Sequence, residues 1–203
     1  MIINYAFCGL WEIIINLFNS QKEPKKMRKD GLVIVYTGRG KGKTTAALGM
    51  ALRALGYSYK ICMIQFIKGS WHYGEMTSSK RLEPEFELIA VGKGFVGILD
   101  DKSPRKEHKR IAQEALRLSK EKIESKKYDI IILDEINYAV NLGLVKLEEV
   151  LDIIKIKPSK LNLVLTGNYA KKEIIDIADL VTEMREIKHP FKSGLKAKKG
   201  IDF

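Results

Sequence analysis

Residues 32–45 read Leu-Val-Ile-Val-Tyr-Thr-Gly-Arg-Gly-Lys-Gly-Lys-Thr-Thr, and this stretch decides the fold. Its first six residues form a short run rich in β-branched side chains, which is typical of a buried strand. A glycine-rich turn follows, and residues 43–55 then have the length and composition of a helix. A strand, a glycine-rich turn and a helix in direct succession are typical of a phosphate-binding loop.

The glycine-rich turn carries the groups that a triphosphate needs. Glycines let the backbone turn tightly, so that several N–H groups converge on the phosphate oxygens, and the following helix adds the positive end of its dipole. Lys43 is placed to reach the phosphates and the Thr44 hydroxyl to bind Mg²⁺. The usual motif begins with glycine where this chain has Thr37, so the loop is a variant. The residues predicted to contact the ATP phosphates are Thr37, Gly38, Arg39, Gly40, Lys41, Gly42, Lys43, Thr44 and Thr45.

A second motif supplies acidic side chains. Four apolar residues, Ile-Ile-Ile-Leu at 130–133, are followed directly by Asp134 and Glu135. The apolar run predicts a buried strand, and the two carboxylates then emerge at its carboxyl end, where open α/β sheets bind ligands. Asp134 or Glu135 is therefore predicted to hold Mg²⁺ together with Thr44, directly or through water.

The whole region from residue 31 onward alternates apolar strands with helical stretches. This alternation predicts an α/β fold of three layers, with a mostly parallel sheet flanked by helices. Together with the phosphate loop, it predicts the P-loop NTPase (RecA-like) type of this fold. Strands are predicted at residues 32–37, 60–67, 86–91, 128–134 and 161–166, helices at 43–55, 103–127, 147–155 and 171–177, and a loop at 68–79.

The first 30 residues are predicted to form an apolar segment and a basic linker outside the domain of residues 31–203. Residues 2–18 are largely apolar, but they are too short and too polar for a spanning helix, which needs ~20 apolar residues. The positive charges follow the apolar run, whereas in a secretory signal they precede it. Three interpretations stay open: a helix that packs on the domain or on a second subunit, an interfacial anchor, or an extension upstream of a true start at Met27.

Amino-acid composition limits the classes of binding partner but does not identify one. The chain has 203 residues, and 36 basic against 25 acidic residues give a net charge of +11. This charge favours anionic partners such as nucleotides, nucleic acid or a membrane surface, and fits a lysine-rich solvated surface equally well. Cys8 and Cys62 are far apart in the sequence, which disfavours a disulfide framework or structural zinc and suits a reducing cytoplasm.

Several further motifs occur in a specific order along the chain. They are Thr-Gly-Arg-Gly-Lys-Gly-Lys-Thr-Thr at 37–45, Gln-Phe-Ile-Lys-Gly at 65–69, Leu-Asp-Glu at 133–135, Leu-Thr-Gly at 165–167 and Gly-Ile-Asp-Phe at 200–203. In this combination the chain resembles the P-loop family of corrinoid (cob(I)alamin) adenosyltransferases, over nearly all of residues 31–203. The resemblance implies that Co(I) of a reduced corrinoid attacks the 5′ carbon of ATP and displaces the whole triphosphate.

The resemblance also implies roles for individual residues. Lys43 and Glu135 are the implied catalytic residues, because they and a Mg²⁺ on Thr44, Asp134 and Glu135 would stabilise the departing triphosphate. Phe95 matches an aromatic residue that contacts the corrin.

Other family traits are matched less closely. Trp71, or alternatively Tyr73, is a second candidate for the corrin contact, because the usual second aromatic position holds Gly97 here. Asn168 stands where the family often has arginine. The family further implies a homodimer and a flavoprotein electron donor. The sequence itself predicts a cytoplasmic enzyme with neither a membrane span nor a nucleic-acid partner.

Two other functions stay open. One is a P-loop ATPase or kinase in which Asp134 or Glu135 orients a water or an acceptor hydroxyl. The other is a nucleotide-dependent nucleic-acid binder, which the net charge of +11 allows. Against the second, the basic residues are spread along the chain and no motif interleaves aromatic with basic residues.

Overall fold

The computed structural model describes residues 31–67, 72–92 and 104–202. The segment of residues 1–30 and the predicted corrin contacts Trp71 and Phe95 lie outside the described residues. The strands are β1 (Val33–Thr37), β2 (Ile61–Gln65), β3 (Phe86–Ala90), β4 (Ile130–Asp134), β5 (Asn162–Thr166) and β6 (Leu180–Glu183). The helices are α1 (Lys43–Leu55), α2 (Gly74–Lys80), α3 (Arg105–Glu124), α4 (Ile136–Asn141), α5 (Leu147–Ile156) and α6 (Lys172–Ile177), followed by a 3₁₀ turn (Pro190–Ser193).

The six described strands form one parallel sheet in the order β3-β2-β4-β5-β1-β6. Strand β5 lies between β1, which leads into the phosphate loop, and β4, which ends in the acidic pair. All strands point the same way, so the carboxyl ends of β1, β2, β4 and β5 meet at one edge. The register places Gln65 opposite Asp134, and Tyr36 opposite Thr166.

Helices cover both faces of this sheet. Alternate side chains of a strand point to opposite faces, so Ile131 and Leu133 belong to the core cluster with α3, α4 and α5. Ile132 belongs to the other cluster, together with Ala47 and Ala51 of α1. The predicted three-layer α/β fold is therefore confirmed. None of the helices in the described part of the chain combines the length and apolar character that crossing a membrane requires.

Three elements differ from the sequence prediction. The loop predicted at residues 68–79 is wrong where helix α2 stands, because only Ser79 of that helix is buried and no apolar stripe marks it in the sequence. Helix α4 begins directly after Glu135 and has only six residues, too few for a helical apolar period to show in the sequence. The sequence pattern does not predict strand β6 either, because all its residues are exposed and pairing with β1 holds it at the edge of the sheet.

An ion pair ties helix α3 to strand β3. Lys122 Nζ donates to both carboxylate oxygens of Glu87 at 2.8 Å, and the Tyr128 hydroxyl donates to the same carboxylate. Burial alone would raise the pKa of Glu87, but hydrogen bonds from Lys122 and Tyr128 outweigh it, so the pKa lies below its ordinary value. Burial raises the pKa of the neighbouring Cys62 thiol to about 12, which makes it an inert core residue.

We expect Glu87→Gln to lower the melting temperature at pH 7 by about 1–3 °C, a small effect because the pair is partly exposed. A carboxylate whose pKa is lower in the folded chain contributes fully above its unfolded pKa. That contribution is lost as the pH falls through the folded pKa. Thermal melts from pH 7 down to pH 3 should therefore show the two proteins converging in acid. A difference that stays constant across this range would contradict the assignment.

Candidate functional site

The predicted phosphate loop connects β1 to α1 in the structure. Gly38 and Gly42 have φ angles of 93° and 106°, which lie in the left-handed region that glycine adopts without a steric penalty. The Gly40 amide donates to the carbonyl of Met184, just after β6, at 2.6 Å. A Cβ atom at Gly38 would lie 2.5 Å from the same carbonyl oxygen. The loop is therefore packed closely against the chain that follows β6.

Lys43 begins helix α1 and is 8% exposed. Its Nζ donates to the carbonyl oxygens of Gly38 at 2.8 Å and of Gly40 at 2.7 Å, so the ammonium lies inside the turn. Burial lowers the pKa of Lys43, and the nearby carboxylates of Glu135 and Asp134 partly offset that effect. The positive charge is thus held by two carbonyl oxygens of the loop, near the carboxylates of Asp134 and Glu135.

Asp134 ends strand β4 and is fully buried. Its Oδ1 accepts hydrogen bonds from the Thr44 hydroxyl at 2.9 Å and from the Thr166 hydroxyl at 2.7 Å. Its Oδ2 accepts from Gln65 Nε2 at 3.3 Å. Side chains from α1, β5 and β2 therefore converge on one carboxylate at the carboxyl edge of the sheet. The structure brings together the predicted partners Thr44 and Asp134.

Glu135 occupies the sharp turn between β4 and α4. Its φ of 65° is uncommon for a residue other than glycine, and its amide donates to the Thr166 hydroxyl at 3.0 Å. Gly167, with a φ of 124°, leaves room for this turn: a Cβ there would lie 2.8 Å from the Tyr138 amide nitrogen and 3.2 Å from Glu135 Oε2. Backbone strain of this kind collects at functional sites, which fits the predicted role of Glu135.

Gly167→Ala is expected to lower the free energy of unfolding by about 1–3 kcal/mol, since the added methyl group strains the backbone and displaces the turn that carries Glu135. Urea denaturation measures the change. Gly49→Ala is the matched control: Gly49 lies on an open face of helix α1 with nothing within 4 Å of the new Cβ. It should stabilise the protein by about 0.5–1 kcal/mol. Equal stability of Gly167→Ala and the wild type would show that the close approach is unimportant.

The oxygen donors at this edge suit Mg²⁺. In nucleotide sites Mg²⁺ takes one or two protein carboxylates, and its other ligands are phosphate oxygens and waters. The Thr44 hydroxyl and the carboxylates of Asp134 and Glu135 provide a donor set of this kind. No cluster of three or more His, Cys, Asp or Glu side chains suited to a metal occurs within residues 31–67, 72–92 and 104–202.

Comparison of the sequence with known proteins identifies the family of this chain. The family model described as ATP:corrinoid adenosyltransferase BtuR/CobO/CobP matches residues 29–203. The chain belongs to this family. The predicted family resemblance and the predicted enzyme class, a transferase, are confirmed.

Individual relatives agree with the family model. A corrinoid adenosyltransferase from Sinorhizobium sp. is 39% identical over 180 residues, which cover 88% of this chain and 83% of that protein. One from Escherichia coli (strain K12) is 36% identical over 173 residues, 85% of this chain and 86% of that protein. Among solved structures, the flagellar accessory protein FlaH from Methanocaldococcus jannaschii has a TM-score of 0.51 at 15% identity, covering 80% of this chain and 77% of that chain. This last likeness concerns the fold alone.

In this adenosyltransferase-family chain, the other predicted loop residues have different surroundings. The Arg39 guanidinium lies 5.8 Å from the centre of the Tyr169 ring, and the Thr37 hydroxyl accepts from the amide of Ala170 at 3.1 Å. Lys41 forms an ion pair with Asp202 near the carboxyl terminus. Thr45 is exposed on the first turn of α1. Only Lys43 and Thr44 of the loop side chains are thus directed to the loop interior and the acidic edge.

Several residues of this site have no role that the sequence alone indicates. Gln65 and Thr166 stand out in the sequence only as parts of motifs, yet both donate hydrogen bonds to Asp134. Asn137 is fully buried, and neither its Oδ1 nor its Nδ2 has a hydrogen-bond partner. An unpaired buried amide costs about 1–3 kcal/mol, so such a residue is usually retained for a reason other than stability. The signal in the sequence was a polar residue within the apolar run that surrounds it.

Proposed function

We propose that this protein transfers the 5′-deoxyadenosyl group of ATP to the Co(I) centre of a reduced corrinoid and releases triphosphate. The observation that best supports the proposal is the arrangement at the carboxyl edge of the sheet, where Lys43 lies inside the phosphate loop and Thr44 bonds to Asp134 at 2.9 Å. Such an edge suits a nucleotide triphosphate. Membership of the ATP:corrinoid adenosyltransferase family supplies the second substrate.

The proposed adenosyl transfer requires little acid or base catalysis from the protein. Co(I) of the corrinoid substrate gives an electron pair to the 5′ carbon, and the bond from that carbon to the triphosphate oxygen breaks. The electrons of this bond leave with the triphosphate, so negative charge grows on the departing oxygen and no proton moves. Lys43 and the loop N–H groups stabilise that charge. In this proposal the loop holds a leaving group.

We further propose that Thr44, Asp134 and Glu135 hold Mg²⁺. When bound, the ion supplies additional positive charge beside the triphosphate. The hydrogen bonds from Thr166 and Gln65 fix the Asp134 carboxylate, so that it needs little reorganisation to act as a ligand of Mg²⁺.

The remaining partners are proposed from the resemblance alone. Phe95 and Trp71 are the proposed corrin contacts, a flavoprotein is the proposed source of the electron that reduces the corrinoid, and the enzyme is proposed to be a cytoplasmic homodimer. The domain is proposed to comprise residues 31–203, with residues 1–30 as a separate segment. Either complete cobalamin or a biosynthetic precursor fits as the acceptor.

An anaerobic assay tests the reaction. Purified protein is mixed with ATP, Mg²⁺ and chemically reduced cob(I)alamin, and the corrinoid spectrum is followed together with the phosphate products. Adenosylcobalamin should form with an equal amount of intact triphosphate. Orthophosphate or ADP without a spectral change would instead favour the ATPase or kinase alternative. A steep fall of DNA affinity with salt would favour the nucleic-acid binder.

A further inference from the structure

The chain that follows β6 returns to the phosphate loop at two points. Met184 accepts a hydrogen bond from the Gly40 amide at 2.6 Å. At the carboxyl terminus, Asp202 Oδ1 forms an ion pair with Lys41 Nζ. The Lys41 side chain is 52% exposed, whereas that of Asp202 is only 15% exposed. The acid is therefore the less exposed partner of this ion pair.

A local turn fixes the Asp202 carboxylate. Its Oδ2 accepts from the Lys198 amide at 2.7 Å, while the Asp202 amide donates to the Lys198 carbonyl at 2.8 Å. Gly200, with a φ of 80°, lets the chain close this turn. One carboxylate oxygen is thus used within the turn, and the other faces the phosphate loop. The turn therefore holds the Asp202 carboxylate in position to pair with Lys41.

We propose that Asp202 is a positioning residue that competes with the triphosphate for Lys41 and so promotes release of the triphosphate product. The inference rests on the proposal that residues 37–45 bind the triphosphate. Lys41 stands between Gly40 and Gly42, so a triphosphate in the loop brings several negative charges close to its ammonium. The Asp202 carboxylate neutralises that ammonium and repels the same anion. Both effects weaken triphosphate binding.

The binding of inorganic triphosphate to the full chain, measured by calorimetry with Mg²⁺ present, tests this inference. Asp202→Asn should bind triphosphate about two- to fivefold more tightly than the wild type, the range expected for a partly exposed ion pair. In the Lys41→Ala background the same substitution should change the affinity by less than about twofold, because the group on which it acts is gone. This double-mutant cycle separates an effect through Lys41 from a general effect on the tail.

Two controls complete the design. Asp202→Glu keeps the carboxylate and should bind triphosphate nearly as the wild type does. Asp152→Asn removes an exposed acid that pairs with Lys155 on helix α5, so it changes the net charge equally and should have no effect. Unchanged or weaker binding by Asp202→Asn would overturn the inference and leave the loop proposal standing. Failure of the wild type to bind triphosphate would overturn both.

Discussion

Replacing Lys43 by alanine is expected to reduce kcat for adenosyl transfer by at least about a hundredfold. The substitution removes an ammonium that the loop holds through hydrogen bonds of 2.7 and 2.8 Å to its own carbonyls. Because the charge on the leaving triphosphate is greatest in the transition state, kcat should fall while the KM for the corrinoid changes little. Steady-state assays that vary each substrate under anaerobic conditions give both parameters.

The matched control for this variant is Lys172→Ala. Lys172 is 82% exposed on helix α6 and pairs with Asp176, so its loss changes the net charge equally but touches no part of the loop. Its kcat should equal that of the wild type. Circular dichroism establishes that both variants fold. A folded Lys43→Ala protein with wild-type kcat would exclude the proposed role of Lys43.

Asp134→Asn is expected to raise the Mg²⁺ concentration for half-maximal activity by at least about tenfold, a typical effect of altering groups that hold or orient a metal ion. Asparagine keeps the size of the side chain but removes the charge that the hydroxyls of Thr44 and Thr166 and the amide of Gln65 surround. The measurement is a Mg²⁺ titration of the initial rate at saturating ATP and corrinoid.

Asp129→Asn serves as the comparison, because Asp129 lies directly before the amino-terminal end of β4, whereas Asp134 lies at its carboxyl end. Asp129 accepts from the Lys60 amide at 2.8 Å, far from the acidic turn. This variant should keep the wild-type Mg²⁺ dependence. If Asp134→Asn loses activity but its Mg²⁺ midpoint does not move, Asp134 acts on the fold and is not part of a metal site.

Much of the fold and the centre of the site could be predicted from sequence, because the relevant signals are local. An apolar run next to a glycine-rich turn specifies both a buried strand and a place where backbone amides can converge. The strand that ends in Asp134 is similarly marked by four apolar residues followed by two acids. Parallel strands bring such ends together at one edge, so the pairing of Thr44 with Asp134 could be expected without any contact information.

The features that sequence did not reveal depend on distant parts of the chain. Strand β6 has no buried alternation, because it lies at the edge of the sheet and is held by backbone pairing with β1. The Asp202 carboxylate looks like an ordinary terminal acid until the structure places it beside Lys41. Asn137 could be noticed as a polar residue in an apolar run, but its lack of partners is visible only once its surroundings are known.

The position of β1 between β5 and β6 has a consequence for how the protein is made. Thr37 pairs with Glu183, so the strand that carries the phosphate loop gains its outer neighbour only after the ribosome has synthesised the chain as far as β6. At ~5–20 residues synthesised per second, β1 waits about 7–30 s for β6. Until then one edge of β1 has unpaired backbone groups, which favour association with other chains. The strand that carries the phosphate loop is therefore complete only after β6 has been synthesised, and the proposed binding of ATP would stabilise the chain only from that point on.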